Sequence, residues 1–118
     1  MRADAVRGTL SRPATTERHA RMAKGYWIGR VTVEDEAGYR DYIAAGAPVY
    51  ERYGARFVVR GGRCRGVEGE TRTRNVVVEF PDYDTAVAAY ESEEYRAAKA
   101  IRQRHAEADL VIVEGVDG

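Results

Sequence analysis

Side chains able to bind a small molecule and to transfer a proton recur at alternating positions of segments with strand composition. Tyr26, Arg30, Arg60 and Glu79 fall on one face of the sheet that these segments are expected to form. Arginine binds a carboxylate through paired hydrogen bonds, and glutamate can move a proton. The four residues therefore predict a site for a small acidic or phenolic molecule, with Glu79 as the candidate catalytic residue. The alternative is a set of salt bridges between strands or subunits.

Two further residues extend this candidate site. Arg74, at the mouth of the third predicted strand, could add a second positive contact. Tyr39 lies on the inward face of the first predicted helix, where a core position is the simpler interpretation, although its hydroxyl could reach a cleft.

Cysteine and histidine offer weaker candidates. Cys64 lies between two arginines that would favour a reactive thiolate, but no histidine is close in sequence to act as its base, so an inert cysteine is favoured. His105, near the end of the last helix, could be an acid–base group or haem ligand, although a charge interaction with the helix C-terminus is the simpler role. Two histidines and one cysteine without ligand spacing predict no metal site, and no nucleotide or phosphate motif appears, so no cofactor is expected.

Four strands and two helical regions must position these residues. The predicted strands cover 25–33 (GYWIGRVTV), 55–60 (ARFVVR), 75–80 (NVVVEF) and 109–116 (DLVIVEGV). The first helix is capped by Asp35 and ends at Gly54, with a kink or break near 44–47 because Pro48 has no backbone N–H. Asp82 and Ser92 are expected to cap the two pieces of the second helical region, the last piece covering 93–106.

The order of elements, β-α-β-β-α-β, predicts a ferredoxin-like α+β fold. Right-handed crossovers arrange these strands as a four-stranded antiparallel sheet of order 4-1-3-2, with the helices on one face. Alternation assigns the helix side to an apolar set that includes Trp27, Val31, Val76, Val111 and Val113.

The opposite face of the sheet has a mixed character that calls for a partner. It carries the four candidate residues together with apolar ones, and burying an unpaired charge costs several kcal/mol. A second sheet that encloses a partly polar cavity suits this mixture, and a homodimer would supply one. The alternative is a solvent-exposed face with cross-strand ion pairs, such as Arg30 with Glu79 on a neighbouring parallel strand.

Composition bounds the remaining possibilities. The chain has 118 residues, 32% of them charged, with zero net charge. The first 21 residues carry an excess of three positive charges and the remainder three negative ones, which argues against nucleic-acid binding by the domain. No apolar run is long enough to span a membrane, and the single cysteine fits a reducing, cytoplasmic setting. Residues 1–21 are expected to be a disordered extension or to precede the true start at Met22, leaving 22–118 as the domain.

Four blocks of the sequence together resemble one family. KGYWIGRV, YGARFVVRGG, RNVVVEFPDYDTAVAAYESEEY and DLVIVEGV are similar to the domain-of-unknown-function 1330 family. The resemblance implies a dimeric α+β barrel, in which two ferredoxin-like chains pair sheet to sheet around a cavity. It implies no activity, because none is established for the family. The leading hypothesis is a cofactor-independent enzyme that acts on a small organic molecule, and the alternatives are a non-catalytic ligand-binding module and a structural dimer.

Overall fold

A computed structural model describes residues 23–117, so the predictions for residues 1–21 lie outside the described part of the chain. Seven elements follow one another along it. They are β1 (Gly25–Val33), α1 (Glu36–Arg52), β2 (Arg56–Arg60), β3 (Arg74–Phe80), α2 (Tyr83–Glu91), α3 (Glu93–His105) and β4 (Ala106–Glu114). The order confirms the βαββαβ plan, with the second helical region in two pieces.

The sheet has the order β2-β3-β1-β4, which is the predicted 4-1-3-2 order read from the other edge. Every pair of neighbouring strands is antiparallel. The expectation that Arg30 and Glu79 sit on parallel neighbours is therefore wrong. The register places Tyr26 opposite Glu79, and Arg30 opposite Asn75.

Helix α1 begins and ends as the sequence predicts, but it is not broken in the middle. The Asp35 carboxylate accepts a hydrogen bond from the N–H of Ala37, and Gly54 follows the helix with a positive φ of 69°. Pro48 lies inside a helix that continues to Arg52, so of the kink or break predicted near 44–47 the break is absent. Val49, the next residue, is completely buried, so packing against the core offsets the hydrogen bond that the proline removes.

The core lies between the helices and one face of the sheet, with Trp27 at its centre. The indole N–H donates to the carbonyl of Ala86 at 2.8 Å. Its ring contacts four other aromatic rings with centroids 4.7–5.8 Å away, which are Tyr50, Phe80, Tyr90 and Tyr95. These contacts fix the helices above the middle of the sheet.

The side chains of β4 lie on the opposite faces of the sheet from those predicted. Val111 and Val113, expected on the helix side, lie on the other face and are 52% and 40% exposed. Leu110 and Ile112 pack against the core instead. The strand begins at Ala106, directly after α3, and its antiparallel register with β1 puts Ile112 opposite the central Trp27.

Strand β2 contains a bulge that reverses its alternation. Phe57 pairs with Val78 and Val59 pairs with Val77, so Val58 is an extra residue. As a consequence Arg60 pairs with Val76 on the helix side, not on the open face where simple alternation places it.

Candidate functional site

The sequence-predicted site residues separate into three groups in the fold. The first is at one end of the open sheet face, which we define as the face turned away from the helices. There the Tyr26 hydroxyl donates to Glu79 at 3.2 Å, and Arg56 donates to the same carboxylate at 3.1 Å. The Tyr26–Glu79 pair follows directly from the register of β1 and β3. The pKa of Tyr26 is raised by burial and by the hydrogen bond to Glu79.

Arg30 lies at the other end of the open face and forms no hydrogen bond or salt bridge with the other candidates. It donates to the carbonyl of Glu70 at 3.0 Å and forms a salt bridge with Asp109 at 3.4 Å. Arg72 binds the same carboxylate at 3.1 Å. The middle of this face is apolar and exposed, with Ile28 opposite Val111.

The third group lies inside the protomer, in a cavity between α1 and the sheet. This cavity has a volume of about 240 Å³, and Arg60, Arg74 and Tyr39 all contribute to its wall. Six aromatic and three arginine side chains line it, together with small and aliphatic residues. These nine are Trp27, Tyr39, Tyr42, Tyr50, Phe57, Tyr95, Arg60, Arg74 and Arg102.

Buried at one wall of the cavity is a hydrogen-bonded set that we call the Arg102 cluster: Arg102, Tyr95 and Tyr42. Arg102 is only 7% exposed. Its Nη1 donates to the Tyr95 hydroxyl at 2.6 Å and to the Tyr42 hydroxyl at 3.4 Å, and the two hydroxyl oxygens are 2.6 Å apart. Burial opposes the guanidinium charge, but the two phenol oxygens raise the pKa of Arg102 above its ordinary value.

The hydrogens of the Arg102 cluster leave one phenol donor available. Arginine can only donate, so both phenol oxygens accept from Arg102. One phenol then donates to the other, and the hydrogen of that second phenol has no acceptor within the cluster. Since Tyr42 and Tyr95 both line the cavity, this hydrogen can be donated to an oxygen atom bound there or to the neighbouring Tyr50 hydroxyl. Burial raises the pKa of Tyr95, so the phenol remains protonated.

Arg74 and Tyr39 form a second polar pair on the cavity wall. Arg74 Nε donates to the Tyr39 hydroxyl at 3.2 Å, and its guanidinium carbon is 5.2 Å from the centre of that ring. Burial raises the pKa of Tyr39, although the hydrogen bond from Arg74 lowers it in part. The Tyr39 and Tyr42 rings lie 5.3 Å apart, so they connect this pair to the Arg102 cluster.

The charges of the cavity wall all have the same sign. No aspartate, glutamate or histidine belongs to the wall among the residues the structure describes. None of its three arginines forms a salt bridge with another described residue. By contrast Arg56 and Arg72, outside the cavity, each pair with carboxylates.

Sequence reasoning gives Arg102 no role. A signal for its role was available: a charged residue occupies an inward position on α3, seven residues after Tyr95. Such a position needs a partner, because a fully buried arginine is rare. Three aromatic side chains of α1 line the cavity: Tyr39, Tyr42 and Tyr50. Helical periodicity alone predicts core positions for such residues and does not show that a cavity lies beside them.

Cys64 and His105 lie away from the cavity. Cys64 is exposed, and its thiol lies 3.4 Å from the carbonyl of Thr73. His105 Nδ1 lies 3.3 Å from the carboxylate of Asp35, so it joins the end of α3 to the start of α1. Within 23–117 no group of three metal-binding side chains occurs, and no helix has the length and apolarity needed to cross a membrane.

The four-stranded sheet with helices on one face defines a ferredoxin-like α+β protein with an internal aromatic cavity. A family description, Domain of unknown function (DUF1330), matches residues 24–116, and the chain belongs to this family. The predicted family is thereby confirmed. A search of curated proteins finds no match to this chain.

Solved structures with the same fold are distant in sequence. A protein of unknown function from Rhodopseudomonas palustris, RPA0582, has a TM-score of 0.64 at 19% identity, covering 89% of this chain and 93% of its own. SnoaB, a cofactor-independent oxygenase from Streptomyces nogalater, has a TM-score of 0.54 at 13% identity, covering 76% and 90%. A dimeric ferredoxin-like protein of unknown function from Thermobifida fusca has a TM-score of 0.52 at 20% identity, covering 80% and 91%.

Proposed function

We propose that this chain is a cytoplasmic, homodimeric protein that binds a small organic molecule in the cavity between α1 and the sheet. The cavity itself is the observation that carries the proposal. Ligand sites are concave, mainly apolar and supplied with a few convergent polar groups. The cavity, with six aromatic side chains, three arginines and a volume of about 240 Å³, has this character.

The described wall supports binding and charge stabilisation more directly than proton abstraction. Arginine and phenol donors can stabilise negative charge that develops on an oxygen atom. A general base is not supplied by the wall, since burial raises the pKa of both Tyr39 and Tyr95 and keeps them protonated. Glu79 lies on the open face, so the candidate catalytic role of Glu79 requires a second site inside the dimer.

Catalysis without a tightly held cofactor is the second candidate function. It is favoured by the Arg102 cluster, in which one phenol oxygen accepts from both Arg102 and the other phenol while its own hydrogen has no acceptor in the cluster. SnoaB, whose fold is similar, is a cofactor-independent oxygenase, so a fold of this kind supports such chemistry in at least one protein. Turnover of a bound compound would distinguish an enzyme from a binding protein.

The open face supports the homodimer. Its middle carries exposed apolar side chains, with Ile28 at 38%, Val111 at 52% and Val113 at 40% exposure. Its two ends carry the ion pairs of Glu79 and of Asp109. An exposed apolar patch with a polar rim is typical of a protein interface, and a second copy offers the same pattern in return. The T. fusca protein of similar fold is described as dimeric.

A charge placed on this face tests the dimer. We expect wild-type protein to sediment as a dimer at micromolar concentration, and Val111→Lys to sediment as a folded monomer because a lysine would be buried against an apolar partner. Val116→Lys is the matched control, since Val116 follows β4 and is 91% exposed. Wild-type protein that sediments as a monomer at micromolar concentration, with a circular dichroism spectrum typical of a folded protein, would refute the homodimer.

Blocking the cavity tests the ligand site. Ala47, on α1, is exposed at the edge of the cavity, and Ala44, on the same helix, is exposed outside the cavity. Native mass spectrometry and a thermal-shift screen of small molecules should find compounds that bind wild type and Ala44→Phe but not Ala47→Phe. Binding can be followed by Trp27, the single tryptophan, which lines the cavity. Ligands that bind Ala47→Phe as tightly as wild type would place the site elsewhere.

A further inference from the structure

We propose that the cavity selects a planar organic anion, and that the Arg102 guanidinium holds its negatively charged oxygens. This inference rests on the proposed function, because it specifies the class of molecule that the same cavity takes. It assigns the role to a residue outside the sequence-predicted site.

Half of the Arg102 guanidinium makes no hydrogen bond to the described protein. Both hydrogen bonds of this side chain are made by Nη1. The Nε atom is buried without a partner among the described residues, and Nη2 makes no hydrogen bond to them. Nε and Nη2 form the side-on fork that binds a carboxylate through two parallel hydrogen bonds. The atoms that suit a carboxylate are therefore the ones left without a partner.

The positive charge of the cavity wall also favours an anionic ligand. Arg102 is 93% buried, and its two acceptors are neutral phenols. Burying a charge without a counter-charge costs several kcal/mol, so buried arginines are normally paired with a carboxylate. Arg60 and Arg74 add two more positive charges to the wall, and no described carboxylate in the wall offsets them. An anionic ligand supplies the missing counter-charge.

The aromatic side chains of the wall favour a planar molecule. Tyr50 and Phe57 pack edge to face with ring centroids 4.9 Å apart, and Tyr42 and Tyr95 pack similarly at 6.2 Å. Aromatic walls of this kind favour the faces and edges of a flat ring. The phenol hydrogen that has no acceptor within the Arg102 cluster adds a donor for one ligand oxygen.

Three compounds of nearly the same shape separate charge from shape: 2-naphthoate, 2-naphthamide and 2-naphthamidine. Isothermal titration calorimetry of wild-type protein should show 2-naphthoate binding at least tenfold more tightly than the neutral amide, with no binding of the cationic amidine. A charged hydrogen bond contributes about 1.5–3 kcal/mol, which corresponds to about 10- to 150-fold in affinity. This comparison requires no variant, so it does not depend on how a substitution affects folding.

A matched pair of variants locates the preference. Arg102→Met should reduce the ratio of naphthoate to naphthamide affinity about tenfold or more. Arg104→Met makes the same change two residues later on α3, at an exposed position outside the cavity, and should leave the ratio within twofold. A purely structural role for Arg102 would weaken all ligands equally and leave the ratio unchanged.

The outcomes distinguish this inference from the proposed function. Equal affinity for naphthoate and naphthamide, with both lost in Ala47→Phe, would overturn the anion preference and leave the cavity as the ligand site. An unchanged ratio in Arg102→Met would overturn the role of Arg102. Failure of all three compounds to bind at millimolar concentration would overturn the anion class. The proposed function itself would fail if no compound in the screen bound wild type but not Ala47→Phe.

Discussion

The Tyr95 hydroxyl is the most sensitive point of the Arg102 cluster, and Tyr95→Phe removes it alone. The ring is completely buried, so phenylalanine fits the same space. The hydroxyl oxygen accepts from Arg102 at 2.6 Å and lies 2.6 Å from the Tyr42 hydroxyl. Its removal deprives a buried guanidinium of its shorter hydrogen bond.

The size of the effect follows from these two contacts. A hydrogen bond to a charged group contributes about 1.5–3 kcal/mol, and one between neutral groups about 1 kcal/mol. Tyr95→Phe should therefore lower the free energy of unfolding by about 3 kcal/mol, more than most single substitutions. Tyr90→Phe is the matched control, because Tyr90 packs on the same indole and its hydroxyl bonds no other described residue. It should change the free energy of unfolding by less than about 0.5 kcal/mol.

Urea unfolding of the four proteins in a double-mutant cycle isolates the charged contact. The cycle consists of wild type, Tyr95→Phe, Arg102→Met and the double variant, all at one protein concentration because a dimer is stabilised by concentration. In the Arg102→Met background Tyr95→Phe should cost only about 1 kcal/mol, which leaves a coupling energy of about 2 kcal/mol. A coupling energy near zero, or a Tyr95→Phe variant as stable as wild type, would refute the account of the buried guanidinium.

Four further results are expected. Asp82 caps α2 by accepting from the N–H of Thr85 at 2.8 Å, so Asp82→Ala should destabilise the protein by about 0.5–2 kcal/mol in urea unfolding, while Asp82→Asn should keep most of the cap. Hydrogen bonds from Thr85 lower the pKa of Asp82, so the stabilisation by its carboxylate is present above about pH 4 and is lost as the pH falls through the lowered pKa. If stability depended on pH in the same way for wild type and Asp82→Asn, this expectation would be contradicted. Gly38→Ala should lower the free energy of unfolding by about 1–3 kcal/mol because the added methyl group meets the His105 ring. Gly46→Ala, on the same helix with only ordinary contacts, should not destabilise the protein, so equal melting temperatures of the two variants would contradict the contrast. Because burial raises the pKa of Tyr39 above its ordinary value of about 10, the charge of the cavity wall stays constant and calorimetry should give the same 2-naphthoate affinity from about pH 6 to 9; a change of tenfold or more would show that another group titrates.

The fold was predictable because local and global signals agree in most of the chain. β-branched and aromatic runs mark β1 and β3, and Asp35, Asp82 and Ser92 cap the helices as expected. The order of elements then leaves few topologies. The sheet order follows from these signals without any knowledge of contacts.

The faces of two strands were less predictable, for separate physical reasons. In β4 four successive residues are all apolar: Leu110, Val111, Ile112 and Val113. The sequence therefore does not show which of them face the helices, and the register with β1 determines this. In β2 the bulge at Val58 changes the direction of every side chain that follows.

The candidate site was predicted in part. Arg60, Arg74 and Tyr39 do come together, but they meet inside the protomer, whereas Tyr26, Glu79 and Arg30 remain on the open face. The role of Arg102 depends on contacts between α1 and α3 that no local pattern records.

The Arg102 Nε–H group reports most directly on the proposed ligand contact. Its resonance can be followed in a ¹⁵N–¹H NMR spectrum and assigned by its absence in Arg102→Met. Addition of saturating 2-naphthoate should shift this resonance, because a carboxylate bound to the guanidinium places a negative charge beside Nε. An unchanged Nε–H resonance under conditions where 2-naphthoate is bound, with shifts instead at Arg30 or Arg56, would place the ligand on the open sheet face and contradict the account.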